Sequence, residues 1–197
     1  MKKSLIYIGL FIFSIFATWA GPFGLSNGMT FEEVQQACGG NPPQRLADDD
    51  RYVITPVKSH PTFIRYIAWI SEDYGLYYIK ASSEDISSDN YGRELQNSFY
   101  NFVPRLEKTY GKAYVFDGLV DVKTIWHDDK YWFTALSDGA RRLYASWFPN
   151  YGETVIKDDL VYISLEVSNS GYQKGRLYLD YEFINNELVE SQEDDVL

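Results

Sequence analysis

The chain has 197 residues, of which 17% are aromatic and 23% are charged, and its formal net charge is −10. An acidic chain without a basic run is poorly suited to nucleic acid or to anionic membrane surfaces, so the composition argues against both as partners. The single cysteine excludes an internal disulfide, and the length is sufficient for one domain with its own hydrophobic core.

Residues 1–20 have the organisation of a secretory signal peptide. Two lysines precede an apolar run at 5–17 that is too short for a typical membrane span, and small residues at 18 and 20 favour cleavage after Ala20. The two lysines belong to the 18 basic residues, so cleavage leaves 16 basic against 28 acidic residues and a net charge of −12. We therefore predict an exported protein, periplasmic or extracellular, with an uncleaved anchor helix as the alternative.

The segment 28–40, GMTFEEVQQACGG, marks the start of a helix and of the folded domain. Thr30 and Glu33 have the spacing of a capping box, in which each side chain binds the backbone N–H of the other residue. The glycine pair at its end stops the helix. We predict a helix over 31–38 whose apolar face buries Cys38, so the thiol is expected to be a small core side chain rather than a nucleophile.

This opening resembles a motif of the SmpA/OmlA family of outer-membrane-assembly lipoproteins. The similar residues are Gly28-Met29-Thr30, Val34, Gly39 and Pro42, and the resemblance covers 28–42. It implies a helix followed by antiparallel strands. Two departures are the position of the proline and the absence of the lipid-acceptor cysteine.

A wider resemblance links most of the mature chain to a set of uncharacterised bacterial secreted proteins. It is carried by the opening from Gly24-Leu25 to Val34, the stretch 52–63, Gly75-Leu76 and Tyr110-Gly111-Lys112. This resemblance implies export and assigns no activity.

Segments rich in β-branched and aromatic residues predict an antiparallel sheet. Residues 63–70 and 75–81 form a predicted hairpin, preceded by a connector at 41–62 that contains a short edge strand at 51–55. Later strands are predicted at 113–117, 120–126, 141–148, 158–168 and 175–184, the last two as a hairpin.

Residues 91–110 have the apolar period of a longer helix, which Pro104 is expected to kink or split. Residues 129–137 are compatible with a short helix. We predict an α+β fold with helices on one face of the antiparallel sheet. The expected organisation is a single domain at 21–186, which also fits two helix-then-strands halves at 21–88 and 89–186. The acidic tail at 187–197 is expected to be disordered.

The sequence offers few catalytic arrangements. Phosphate-binding and dinucleotide motifs are absent, and no cofactor or metal site is predicted. His127, Asp128 and Asp129 are the catalytic alternative, with His127 as acid or base and one aspartate orienting it. Neighbouring residues on a strand point to opposite faces, so these three converge only if they lie in a loop.

Binding is the favoured interpretation because the chain is acidic and rich in tyrosine. The expected partner is a protein or peptide of the cell envelope. The alternatives are a glycan-binding or glycan-hydrolysing secreted protein and a self-associating structural protein. The candidate binding residues are Tyr66, Trp69, Tyr78, Trp126, Trp132 and Trp147.

Overall fold

A computed structural model describes residues 21–46, 49–120, 124–149, 151 and 156–194. The predicted signal peptide at 1–20 lies outside them. The helices and strands, in chain order, are α1 (Phe31–Ala37), β1 (Gln44–Arg45), β2 (Arg51–Ile54), β3 (Phe63–Ser71), β4 (Gly75–Ser83), β5 (Ile86–Ser87), α2 (Arg93–Tyr110), β6 (Tyr114–Leu119), α3 (Trp132–Ser137), β7 (Arg141–Trp147), β8 (Leu160–Gly171), β9 (Lys174–Phe183) and α4 (Asn186–Asp194).

The strands form one antiparallel sheet in the order β1-β2-β3-β4-β9-β8-β7-β6, with β5 paired to the start of β9. Strands β1 to β4 are one meander and β6 to β9 are a second, and the two join where β4 pairs with β9. A helix precedes each meander. The α+β fold is thus confirmed, and both helix-then-strands halves contribute to a single sheet.

One face of the sheet carries the hydrophobic core, and α2 covers much of it. Leu95 and Phe99 of α2 are fully buried, and the helix packs against β8 and β9. The helix is continuous from Arg93 to Tyr110, so Pro104 does not split it. Its apolar stripe recurs every three to four residues, which keeps these side chains on the side that faces the sheet.

The alternation predicted for the last hairpin is present in the structure. Ile163, Leu165 and Val167 of β8 are buried, as are Leu177 and Leu179 of β9. These residues point into the core because side chains alternate between the two faces of a strand. A register shift between residues 160 and 162 takes Val161 out of this row.

The start of the domain also follows its sequence signals. The backbone N–H of Thr30 donates to Glu33 Oε2 at 2.9 Å, and the N–H of Glu33 donates to Thr30 Oγ1 at 3.3 Å, which completes the capping box. Cys38 is buried as predicted, and burial raises the pKa of its thiol. The thiol is therefore protonated and inaccessible, as expected of a core side chain.

Two predictions about helices and strands were wrong. Residues 187–194 belong to α4 rather than to a disordered tail, because Val189 is buried and the Asn186 amide binds Glu182 and Glu190. The strand predicted at 120–126 is not formed in its described part, where residues 124–127 form a 3-10 turn. Residues 121–123 and 195–197 lie outside the described chain. None of the described helices is both long and apolar enough to cross a bilayer.

Candidate interaction surface

The second face of the sheet, called here the open face, is where exposed functional side chains concentrate. Helices α1, α2 and α3 pack into the core on the opposite face, and among the described helices only α4 reaches the open face, at one end. The largest side chains on the open face are half-buried by their neighbours rather than enclosed. They are Ile67, Trp69, Tyr78, Lys80, Tyr178, Glu182, Tyr162, Glu166, Tyr144 and Phe116.

Aromatic pairs across neighbouring strands shape this surface. Trp69 of β3 lies opposite Tyr78 of β4, with ring centroids 4.9 Å apart and planes at 72°. At the other end, Phe116 of β6 lies opposite Tyr144 of β7 in a stacked arrangement at 5.4 Å. Such cross-strand aromatic pairs contribute roughly 0.2–1 kcal/mol each to the sheet. They also hold large rings in fixed positions at the surface.

The charges of the open face are largely matched with one another. Lys80 Nζ lies 3.1 Å from Asp180 Oδ1, and Arg142 Nη2 donates to Glu166 Oε1 at 3.0 Å. The guanidinium of Arg142 also lies over the ring of Tyr144, 4.8 Å from its centroid. The centre of the surface is therefore close to neutral, although the chain as a whole is acidic.

Asp180 is a buried carboxylate in the middle of this surface, only 6% exposed. Burial raises its pKa, and the opposing effect of the Lys80 ammonium only partly cancels this shift. Burial of the Tyr78 hydroxyl raises its pKa, and the nearby Asp180 carboxylate raises it further. The three side chains form a polar centre between the aromatic pairs.

A cleft of about 390 Å³ lies where α4 meets the open face. Trp69 and Tyr78 line it from the sheet, Val189 and Glu190 line it from α4, and Glu182 lies in its wall. The Asn186 amide nitrogen donates to Glu182 Oε1 at 2.9 Å and to Glu190 Oε1 at 3.0 Å. This single amide therefore ties the helix to β9 and positions both carboxylates.

The structure divides the six aromatic residues proposed from sequence. Trp69 and Tyr78 lie on the open face, as a binding role requires. Tyr66, Trp132 and Trp147 are 4%, 4% and 0% exposed, so they are core residues and the expectation of a surface role was wrong for them. Trp126 is half-buried in the 3-10 turn at 124–127 and does not belong to a strand of the sheet.

The buried aromatics have clear structural roles. Tyr66 exchanges hydrogen bonds with the backbone of His60, and its ring packs against Phe23 at 4.8 Å. Trp147 Nε1 donates to the carbonyl oxygen of Gly111 at 2.8 Å, which fixes the end of α2 to β7. Large side chains at such positions contribute most to burial of apolar area.

Sequence reasoning missed the aromatic residues of the second meander that lie on the open face. These are Tyr144, Tyr162 and Tyr178, together with Tyr114 and Phe116 of the edge strand. The alternation of β8 and β9 could have identified two of these residues. Tyr162 and Tyr178 lie between the apolar positions of their strands, so their side chains point to the face opposite the core. Assigning Tyr144 and Phe116 required knowledge of which strands pair.

The catalytic alternative does not assemble. Asp128 Oδ2 lies 2.8 Å from Lys130 Nζ, and this bond lowers the pKa of the aspartate. Asp129 lines a cleft together with Asp117 and Arg141, and neither His127 nor Asp128 lines that cleft. Among the described residues no hydrogen bond joins exposed His127 to either aspartate, and no group of three His, Cys, Asp or Glu side chains is placed to hold a metal ion.

Comparisons of the chain with protein-family models, with curated proteins and with solved structures gave no match.

Proposed function

We propose that this chain is an exported, non-catalytic protein that binds a protein partner in the cell envelope through the open face. Export rests on the signal peptide predicted at 1–20 with cleavage near Ala20, and on the resemblance of the chain to bacterial secreted proteins. The resemblance of 28–42 to an outer-membrane-assembly motif favours the envelope. The observation that carries the binding proposal is the half-exposed aromatic surface on the side of the sheet opposite the core.

The composition of the open face favours a protein partner. Tyrosine, tryptophan and arginine are enriched where proteins bind one another, and they dominate this surface. Most of its charges are already paired, so docking does not require several unpaired ions to be desolvated. Rings held by cross-strand contacts lose little conformational entropy when a partner covers them.

The size of the open face is also sufficient. Strands lie about 4.8 Å apart, so the six strands from β3 to β6 span roughly 25–30 Å, and their outward residues extend roughly 20 Å along the strands. This footprint is about 600 Å² before side-chain relief is added. A standard interface buries about 800 Å² on each partner, which is of the same order.

Site-specific cross-linking in the native host tests this proposal. The full chain, with its leader, would carry a photoreactive phenylalanine analogue at Arg65 or Arg142, both exposed on the open face. Matched controls would carry it at Glu32 or Lys108, which are also exposed but lie on α1 and α2. We expect one protein to cross-link from the two open-face positions and not from the controls.

The outcome also separates the alternatives. Cross-linking only from Glu32 or Lys108 would refute the open face as the docking surface. Retention of the wild-type chain, but not Trp69→Ala, on purified peptidoglycan without a cross-linked protein would identify a glycan ligand instead. An N-terminus other than one near Gly21 on the exported protein would refute cleavage near Ala20, and retention in the cytoplasm would refute the export part of the proposal.

A further inference from the structure

The cleft between α4 and the open face differs in charge from the rest of that surface. Its carboxylates, Glu182 and Glu190, are held by the Asn186 amide, and no Lys, Arg or His lies within ion-pair distance of either one in the described chain. Lys80 also borders the cleft, but its ammonium is engaged by Asp180 and lies over the ring of Tyr178. The cleft therefore retains an excess of two negative charges.

Aromatic rings form a second and independent part of this cleft. Trp69 and Tyr78 line it and are fixed by their edge-to-face contact. Cross-strand pairing places Tyr78 directly opposite Glu182, so a ring and a carboxylate adjoin in the cleft wall. A cation next to both groups is attracted by the ring quadrupole and donates a charge-assisted hydrogen bond to the carboxylate.

We propose that this cleft binds the guanidinium group of an arginine side chain on the partner protein. Glu182 and Glu190 accept its N–H donors, and the rings of Trp69 and Tyr78 contact its plane. The inference rests on the proposed function and names one chemical feature of the partner. Arginine is favoured over lysine because the planar guanidinium stacks on aromatic rings, binds carboxylates through two donors and is more weakly hydrated.

The remaining properties of the site are consistent with such an anchor. A volume of about 390 Å³ accommodates one long side chain. The negative charge of the chain attracts a basic segment at long range, and the cleft then provides the specific contact. Because the Asn186 amide already fixes both acceptors, little ordering is needed when the cation arrives.

The inference can be tested without the natural partner. The probes are the peptide acetyl-Gly-Arg-Gly-amide and its citrulline counterpart, which has nearly the same shape and no charge. NMR titration of the mature protein would follow the indole N–H of Trp69 and the side-chain amide of Asn186. We expect the arginine peptide to shift both signals and to bind at least about tenfold more tightly than the citrulline peptide, because a charge-assisted hydrogen bond is lost.

Substitutions of the cleft residues test which side chains contribute to binding of the arginine peptide. Glu182→Gln combined with Glu190→Gln keeps an acceptor for the Asn186 amide but removes both charges, and we expect it to weaken arginine-peptide binding about tenfold or more. Glu32→Gln makes the same chemical change on exposed α1 and should leave binding unchanged. Trp69→Ala should also weaken binding.

Equal binding of the two peptides, unchanged binding by the double glutamine variant, or signal shifts confined to other surfaces would each overturn the inference. If the arginine peptide does not bind but cross-linking from Arg65 persists, the cleft inference fails and the open-face proposal stands. If the peptide binds as expected but no partner cross-links from the open face, the proposed function fails and the cleft remains a cation site.

Discussion

Substitution of Gly92 tests the placement of Trp132 in the core. Gly92 caps the N-terminus of α2 with φ +70°, and an added Cβ would overlap the Cε3 and Cζ3 atoms of Trp132 and lie 2.8 Å from Cδ2. The Trp132 ring is 4% exposed and has little room to move. Gly92→Ala should lose about 1–2 kcal/mol from the left-handed backbone and about 1–3 kcal/mol from overpacking, or about 2–5 kcal/mol in total.

Gly139→Ala is the matched control. Its φ is +71°, but nothing lies within 4 Å of an added Cβ. It should therefore lose only the backbone contribution of about 1–2 kcal/mol. The stabilisation that Gly→Ala produces by restricting the unfolded chain applies to both variants, so it cancels in their difference.

The assay is equilibrium urea unfolding followed by tryptophan fluorescence. We expect Gly92→Ala to be less stable than Gly139→Ala by about 1–3 kcal/mol, with similar m-values. The double variant Gly92→Ala/Trp132→Leu should lose less unfolding free energy than the two single variants lose together. The reason is that the smaller leucine side chain relieves the overlap with the added Cβ. Equal stabilities of the two alanine variants would refute the packing of Trp132 beneath Gly92.

Two further predictions concern the cap of α1 and the buried carboxylate. Thr30→Ala should destabilise the protein by about 1 kcal/mol in urea unfolding while Thr30→Ser retains most of the stability; equal losses in both would contradict the observed cap. Burial gives Asp180 a folded-state pKa above its ordinary value of 3.8. Its contribution to the free energy of unfolding is therefore fully present below pH 3.8 and is lost as the pH rises through the folded-state pKa. Relative to wild type, Asp180→Asn should therefore gain stability with rising pH; urea midpoints that differ by a constant amount from pH 3 to 7 would exclude this linkage.

The surface and its cleft were only partly predictable. Strand β3 carries aromatic residues on both of its faces, with Tyr66 on one and Trp69 on the other. Alternation separates the two residues but does not indicate which face is covered. The contact of Tyr66 with Phe23, a distant residue in sequence, shows which side belongs to the core.

Helix α4 also depends on contacts that local sequence patterns do not reveal. Its sequence is acidic and scarcely apolar, which by composition predicts disorder. The helix is ordered by contacts that composition does not contain: Val189 is buried, and Gln192 donates to Asp73 of the β3–β4 turn at 3.1 Å. Without α4 the cleft would have no second wall.

Four features could be predicted from sequence alone: the capped start of α1, the apolar stripe of α2, the alternation of β8 and β9 and the α+β class. Each of these depends on the spacing of neighbouring residues along one element, and helix and strand geometry converts that spacing directly into faces. The three-dimensional fold was needed to show which face of the sheet is covered and which aromatic residues are exposed. It also showed that Glu182 adjoins Trp69, Tyr78 and α4. These properties depend on pairing between residues more than 100 positions apart, as between Tyr78 and Glu182, and on which competing apolar faces the helices bury.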